Sequence, residues 1–155
     1  MSRAGSAQRP RETTHDAAWQ EGLYRLSASK THILIVDDDT AIRETLRYVL
    51  EDADYCVDEA RDGLKALEFL RRTSFSMIVL LDLMMPQMDG AGLLGTVAGD
   101  TRRLRRHRYI LMTAGQQTLS LALAHLLTDL KAPVIYKPFN IDKLLEVIAN
   151  QKRSL

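Results

Sequence analysis

The sequence predicts a doubly wound α/β fold, in which helices cover both faces of a five-stranded parallel sheet. The first observation is an alternation: from Thr31 onward, a short apolar segment is followed by an amphipathic segment with helical spacing, five times in succession. The second is that the segments 33–36, 77–81 and 109–112 are near-continuous hydrophobic runs. Such runs are typical of parallel strands that are buried on both faces.

The spacing of the apolar residues predicts the first two strand–helix units. Strand 33–36 leads to a helix at about 40–51, whose apolar face contains Ile42, Leu46, Val49 and Leu50. A shorter strand around 55–58 leads to a helix that presents Leu64, Leu67 and Leu70. Asp39 and Thr40 both precede the first apolar position, and either can cap the first helix because each offers a side-chain oxygen to a free N–H group.

The remaining three units show the same pattern. Strand 77–81 precedes a glycine-containing turn and a helix near 91–98. Strand 109–112 precedes a helix near 117–130, in which the expected buried stripe is Leu119, Leu123, Leu126 and Leu130. Strand 134–136 precedes a last helix, in which the aligned apolar residues are Ile141, Leu144, Leu145 and Ile148.

Composition narrows the class of protein. The chain has 155 residues, enough for one domain, and its 21 Lys and Arg residues against 20 Asp and Glu give a net charge of +1. This balance gives no overall attraction to nucleic acid or to an anionic membrane. Cys56 is the single cysteine, which excludes an internal disulfide. The longest apolar run, Met77–Leu81, is far too short to span a membrane, and no signal peptide precedes it, so we expect a soluble cytoplasmic protein.

Residues 1–30 have a different character from the rest of the chain. Residues 1–13 are polar and expected to be disordered, whereas Trp19, Leu23 and Leu26 have helical spacing within 14–27. That segment is either a short helical arm or a frayed tail. The folded domain is expected to span 31–152.

Polar residues stand where the predicted strands end. Asp37 and Asp38 follow the first strand, Asp82 the third, Thr113 the fourth and Lys137 the fifth. Taken singly, each is more often a turn former, a cap or a structural residue. Together they indicate a site, because ligands of open parallel sheets bind at the carboxyl ends of the strands. Clustered carboxylates with room for water suit Mg²⁺.

Four motifs at these positions carry a family resemblance: "ILIVDDD", "VLLDLMMPQMDG", "LMTA" and "YKPF". The segment from about Thr31 to Lys152 resembles a response-regulator receiver domain of bacterial two-component signalling. The resemblance implies a flavodoxin-like (βα)5 three-layer sandwich with strand order 2-1-3-4-5. It also implies that Asp82 accepts a phosphoryl group from a sensor histidine kinase or a histidine phosphotransfer protein.

The resemblance assigns roles to the other site residues. Asp38, Asp82 and the backbone carbonyl of Met84 would hold Mg²⁺ directly, and Asp37 through water. Lys137 would contact a phosphoryl oxygen, aided by a cis bond to Pro138, and Thr113 would donate a hydroxyl hydrogen bond. Pro86, Asp89 and Gly90 would form the turn after the acceptor, with Gly90 chosen for its backbone freedom.

The sequence departs from the family pattern at three positions. Val134 stands three positions before the lysine, where receivers usually carry an aromatic switch residue, and Tyr136 has the wrong offset for that role. The second departure concerns two positions that flank the phosphoryl group in receivers. Met84 stands two positions after Asp82, and Gly115 two positions after Thr113; neither side chain can orient an attacking water. We therefore expect slow autodephosphorylation and an altered conformational readout.

Two surface features remain. The segment 102–108 contains five arginines, which form either a docking patch or, more commonly, a solvated connection. On the helix at 117–130, the face with Leu121, Ala124, His125 and Thr128 is poor in charge, which suits a homodimer or another protein contact.

No output domain follows the last helix, so the expected protein is a stand-alone, chemotaxis-type receiver that catalyses only its own phosphorylation and dephosphorylation. One alternative is a phosphorylation-independent adaptor, which Val134 would allow. Another is a haloacid-dehalogenase-type phosphatase, which needs a second acid where Met84 stands.

Overall fold

The computed structural model describes residues 30–100, 102–115 and 119–155. A compact unit spans Thr31–Leu155. The polar segment 1–13 and the expected arm at 14–27 lie outside the described residues. No helix of the described part is long and apolar enough to cross a membrane.

Within the described ranges, five strands alternate with five helices. The strands are β1 His32–Val36, β2 Cys56–Ala60, β3 Ile78–Asp82, β4 Arg108–Ala114 and β5 Val134–Lys137. The helices are α1 Thr40–Asp52, α2 Gly63–Arg72, α3 Gly90–Gly99, α4 Leu121–Asp129 and α5 Ile141–Lys152. All pairings are parallel and the strand order is β2-β1-β3-β4-β5, which confirms the predicted fold class.

The sheet separates two hydrophobic cores. Ile33 and Ile35 of β1 pack with α1 and α5, whereas Leu34 and Val36 pack on the other face with α2, α3 and α4. Successive strand residues point to opposite faces, so a strand with a core on each side must be apolar at every position. This explains the continuous hydrophobic runs in the sequence.

Local side chains define the helix starts. Asp39 caps α1, and its Oδ1 accepts hydrogen bonds from the N–H groups of Ala41 at 2.9 Å and Ile42 at 3.2 Å. Asp89 caps α3 through Gly92 N–H at 2.8 Å. The cap of the first helix is therefore Asp39, and Thr40 is the first helical residue.

The prediction for the fourth helix was partly wrong. The helix begins at Leu121, after the cap Ser120, and not near Gln117, which lies outside the described residues. Its buried stripe is Leu123, Leu127 and Leu130, whereas Leu119 and Leu126 are only partly buried. The prediction missed Leu127, because the side chains that face the core depend on how α4 is rotated against β4 and α3.

The arginine cluster has intramolecular partners. Arg103, Arg105, Arg106 and Arg108 donate hydrogen bonds to backbone carbonyls at or just beyond the ends of three helices. The acceptors are the carbonyls of Arg71, Thr73, Ser74, Ala98 and Ser154. Free carbonyls at a helix end carry partial negative charge, so cations there are stabilising. These contacts favour the structural interpretation of the cluster.

Candidate functional site

The predicted site residues meet at one edge of the sheet. Asp37 directly follows β1, Asp82 ends β3, Thr113 lies near the end of β4 and Lys137 ends β5. The register pairs Asp82 with Met112. The strands therefore end at the same level, and the side chains that follow them converge.

Lys137 joins two of the acids. Its Nζ lies 2.8 Å from Asp37 Oδ2 and 2.9 Å from Asp82 Oδ1. Asp37 is 1% exposed and Asp82 7% exposed, so both ion pairs are largely shielded from water. The peptide bond between Lys137 and Pro138 is cis, as the resemblance implied.

Three carboxylates lie close enough together to hold a cation. One oxygen from each of Asp37, Asp38 and Asp82 lies within 4.8 Å of the other two. Asp38 is exposed, whereas the other two acids are buried, so water can reach the cluster from one side. Oxygen ligands with room for water are what Mg²⁺ prefers, so these residues fit a hard divalent cation.

The electrostatics of the site also favour an additional cation. Burial raises the pKa of Asp82, and the charges of Asp37 and Asp38 act in the same direction, while Lys137 opposes the rise without cancelling it. Burial also works against the charge of Lys137, but its hydrogen bonds to Asp37 and Asp82 outweigh this and raise its pKa. Lys137 pairs with two of the three clustered carboxylates, so the cluster keeps a negative excess that suits a metal ion.

Thr113 supplies an unused hydroxyl. Thr113 is 1% exposed, and its Oγ1 has no hydrogen-bond partner among the described residues. A buried hydroxyl without a partner costs free energy, which a ligand oxygen at this position would recover. Ala114 and Gly115, which follow it, are exposed and leave the edge of the site open.

Backbone amides hold the acids in place. Asp39 N–H donates to Asp37 Oδ1 at 2.9 Å, and Met84 N–H donates to Asp82 Oδ2 at 3.2 Å. The Met84 side chain is 60% exposed beside the site. The role of the Met84 carbonyl as a metal ligand stays a prediction.

The reason given for Gly90 was wrong. Gly90 does not have a positive φ; in this turn it is Gln87 that does, with a φ of 68°. Gly90 begins α3, and a Cβ there would lie 2.6 Å from the backbone oxygen of Asp82. Its N–H also donates to Leu83 O at 2.9 Å. A glycine is needed because the start of α3 packs directly against the end of β3.

One departure from the family pattern, Val134, lies on β5 together with Tyr136. Val134 is half-buried beside the core that contains α4, and Tyr136 is 51% exposed. Tyr136 is in register with Thr113, so an aromatic ring is present on this strand, but one pleat nearer the site than the usual position.

Sequence reasoning missed Arg43, which lies on α1. Its Nη1 donates to the backbone carbonyl of Asp37 at 2.8 Å, and its Nε lies 3.1 Å from Glu59 Oε2 on β2. Its position on the polar side of an amphipathic helix gave no signal of this contact.

Comparison with known proteins identifies relatives. The family model of the response regulator receiver domain matches residues 33–149. The response regulator MprA of Mycobacterium tuberculosis is 36% identical over 114 residues, which cover 73% of this chain and 46% of MprA. MprA of Mycobacterium leprae is 50% identical over 58 residues, covering 37% of this chain and 25% of that protein. The matched segments thus span less than half of these curated relatives.

Solved structures show the same fold. Chemotaxis protein CheY4 of Vibrio cholerae superposes with a TM-score of 0.67 at 26% identity, over 79% of this chain and 99% of that one. A CheY-like receiver domain protein of Methanospirillum hungatei gives a TM-score of 0.66 at 28% identity, over 77% and 92% of the two chains.

Proposed function

The chain belongs to the response-regulator receiver domain family, and from this premise we propose that it is a phosphorylation switch whose acceptor is Asp82. The proposed donor is a phosphohistidine on a sensor histidine kinase or on a histidine phosphotransfer protein. The proposed cofactor is Mg²⁺, and the proposed location is the cytoplasm. The proposed output is a change in protein contacts, without nucleic-acid or membrane binding by this domain.

The contact of Lys137 with Asp82 carries the proposal. Of the three clustered acids, Asp82 is the one that ends a central strand, and Lys137 holds one of its oxygens at 2.9 Å. An ammonium at this distance is placed to meet a phosphoryl oxygen that arrives at the same carboxylate. The unpartnered Thr113 hydroxyl provides a second donor.

The reaction is a phosphoryl transfer between two nucleophiles. An oxygen of Asp82 attacks phosphorus, a P–O bond forms, and the P–N bond to the imidazole of the donor breaks. The imidazole keeps the electron pair of that bond, and the product is an aspartyl phosphate. Lys137 and Thr113 would stabilise charge on the phosphoryl oxygens.

A bound Mg²⁺ would offset the repulsion between the carboxylate and the anionic phosphoryl group. Asp38, Asp82 and the Met84 carbonyl would hold it directly, and Asp37 through water. Lys137 forms ion pairs with Asp37 and Asp82, and these contacts hold both carboxylates in position for the metal.

We propose that the chain catalyses only its own phosphorylation and dephosphorylation, and that the dephosphorylation is slow. Met84 and Gly115 flank the site where a side chain could orient water, and neither has a group that can do so. The phosphatase alternative lacks support for the same reason, because Met84 stands where that mechanism needs an acid.

Intact-mass spectrometry after incubation with acetyl phosphate tests the proposal. The expected result is one phosphoryl adduct that requires Mg²⁺ and is absent from Asp82→Asn. Phosphoramidate and a panel of phosphorylated histidine kinases serve as further donors, because some receivers do not react with acetyl phosphate. Failure with every donor would overturn the proposal.

Val134 supports a second candidate, a phosphorylation-independent adaptor with the same fold. The two candidates differ in whether partner binding responds to the acceptor site. Under the adaptor model, beryllofluoride with Mg²⁺, which mimics the phosphoryl group, leaves partner affinity unchanged. Under the switch model, it changes that affinity.

The charge-poor face of α4 is the proposed contact surface. Leu121 is 74% exposed there, beside exposed His125 and Thr128. We propose a homodimer or a partner protein on this face. Sedimentation of wild type and Leu121→Glu, with and without beryllofluoride, distinguishes the two, because only a homodimer changes mass without a partner.

A further inference from the structure

Arg43 contacts the acidic loop, residues Asp37–Asp39, at the backbone carbonyl of Asp37, whereas Lys137 contacts the Asp37 carboxylate. Its guanidinium makes three contacts: Nη1 with the backbone carbonyl of Asp37 at 2.8 Å, Nε with Glu59 at 3.1 Å, and Nη2 with Thr40 Oγ1 at 3.1 Å. The side chain is 13% exposed. The planar guanidinium can satisfy all three partners at once, which an ammonium cannot do in the same geometry.

Asp37 is consequently held from every side. Arg43 binds its carbonyl, Asp39 N–H binds Oδ1, Lys137 binds Oδ2, and its own N–H donates to Ala60 O at 3.2 Å. The contacts to Oδ1, Oδ2 and the N–H group come from Asp39 within the loop, from the end of β5 and from the end of β2. Arg43 supplies the contact that joins the Asp37 backbone to a side chain of α1, in addition to the Asp39 cap.

We propose that Arg43 is a positioning residue for the metal site: it fixes the Asp37–Asp38 backbone and so presets the carboxylates for Mg²⁺. The inference rests on the proposed function, because it assumes that the acids bind this metal. Side chains that orient metal ligands typically contribute about 10–100-fold to metal affinity. Arg43 acts through the backbone, so we expect a loss of about tenfold on its removal.

Arg47 provides a matched control. It lies one turn further along α1, also pairs with Glu59, and donates to Val57 O at 3.0 Å, but it has no contact with Asp37 among its described hydrogen bonds. Arg43→Lys and Arg47→Lys both keep the charge and both alter the Glu59 network. A difference in Mg²⁺ affinity between the two variants therefore reports the contact of Arg43 with the acidic loop.

Mg²⁺ affinity is measured by titrating MgCl₂ into the full chain and following the amide resonances of Asp39 and Met84, whose N–H groups bind the acids. Asp38→Ala shows which shifts come from the metal site. We expect Arg43→Lys to bind Mg²⁺ about tenfold more weakly than wild type, and Arg47→Lys to bind within about twofold of it. The rate of adduct formation from acetyl phosphate in Arg43→Lys should recover at saturating Mg²⁺.

The outcomes separate the two proposals. Wild type that shows no saturable Mg²⁺ shift overturns the proposed metal site, and the positioning role with it. Equal Mg²⁺ affinities of Arg43→Lys and Arg47→Lys overturn the positioning role alone. If Arg43→Lys does not fold, Arg43→Gln decides, because it also removes the guanidinium nitrogen that contacts the Asp37 carbonyl. An unchanged Mg²⁺ affinity in that variant also overturns the role.

Discussion

His107 should make the folded domain sensitive to mild acid. The residue precedes β4 and is 2% exposed. Burial lowers its pKa from an ordinary 6.5 to about 4, and the neighbouring Arg106 guanidinium acts in the same direction. The folded state therefore keeps this imidazole neutral at a pH where the unfolded chain protonates it.

The sign and size of the effect follow from linkage. Below pH 6.5 the unfolded state binds a proton at His107 that the folded state does not, so stability falls as pH falls, until the folded pKa of about 4 is reached. Each pH unit in this window lowers the free energy of unfolding by about 1.4 kcal/mol. Between about pH 7.5 and pH 5, we expect His107 to cost the folded state about 2 kcal/mol.

Urea denaturation at the two pH values measures this contribution. Carboxylates also titrate in acid, so the relevant quantity is the difference between wild type and a variant without the imidazole. His107→Leu and His107→Phe are both used, because their absolute stabilities will differ with packing while their pH slopes should agree. His125→Gln, at an exposed position, controls for loss of a histidine as such. Wild type and the His107 variants with equal pH slopes would refute the reasoning.

Three further predictions concern the site and its surroundings. Gly90→Ala should destabilise the fold by about 1–3 kcal/mol in urea, because its Cβ would lie 2.6 Å from a backbone oxygen of β3. Gly95→Ala, with nothing within 4 Å of its Cβ, should stabilise α3 instead, and equal effects would contradict the steric argument. Met84→Asn combined with Gly115→Glu should shorten the lifetime of the phosphoryl adduct in a mass-spectrometric time course, whereas an unchanged lifetime counts against the proposed cause of slow decay. Asp39→Ala should cost about 1 kcal/mol in urea, and no loss would show that the cap is dispensable.

Local patterns in the sequence predicted the fold class and the polar residues at the strand ends, whereas the strand order 2-1-3-4-5 came from the family resemblance. Strand and helix periodicities predicted every unit in order, because they reflect which faces of each element are buried. The positions of Asp37, Asp82, Thr113 and Lys137 could be predicted because each follows or ends a strand, and parallel strands bring their carboxyl ends to one edge. Neither inference requires knowledge of distant contacts.

Tertiary structure decided how these residues are held. Lys137 and Asp37 form an ion pair across 100 positions of sequence, and which oxygens the ammonium meets depends on strand order and register. Tertiary structure also decides the contact of Arg43. This residue lies on the polar face of α1, and it reaches the Asp37 carbonyl because of how the helix packs. Gly90 is required by the approach of α3 to β3, and Leu127 is buried by the rotation of α4. Such contacts are set by packing between elements, which local periodicity does not encode.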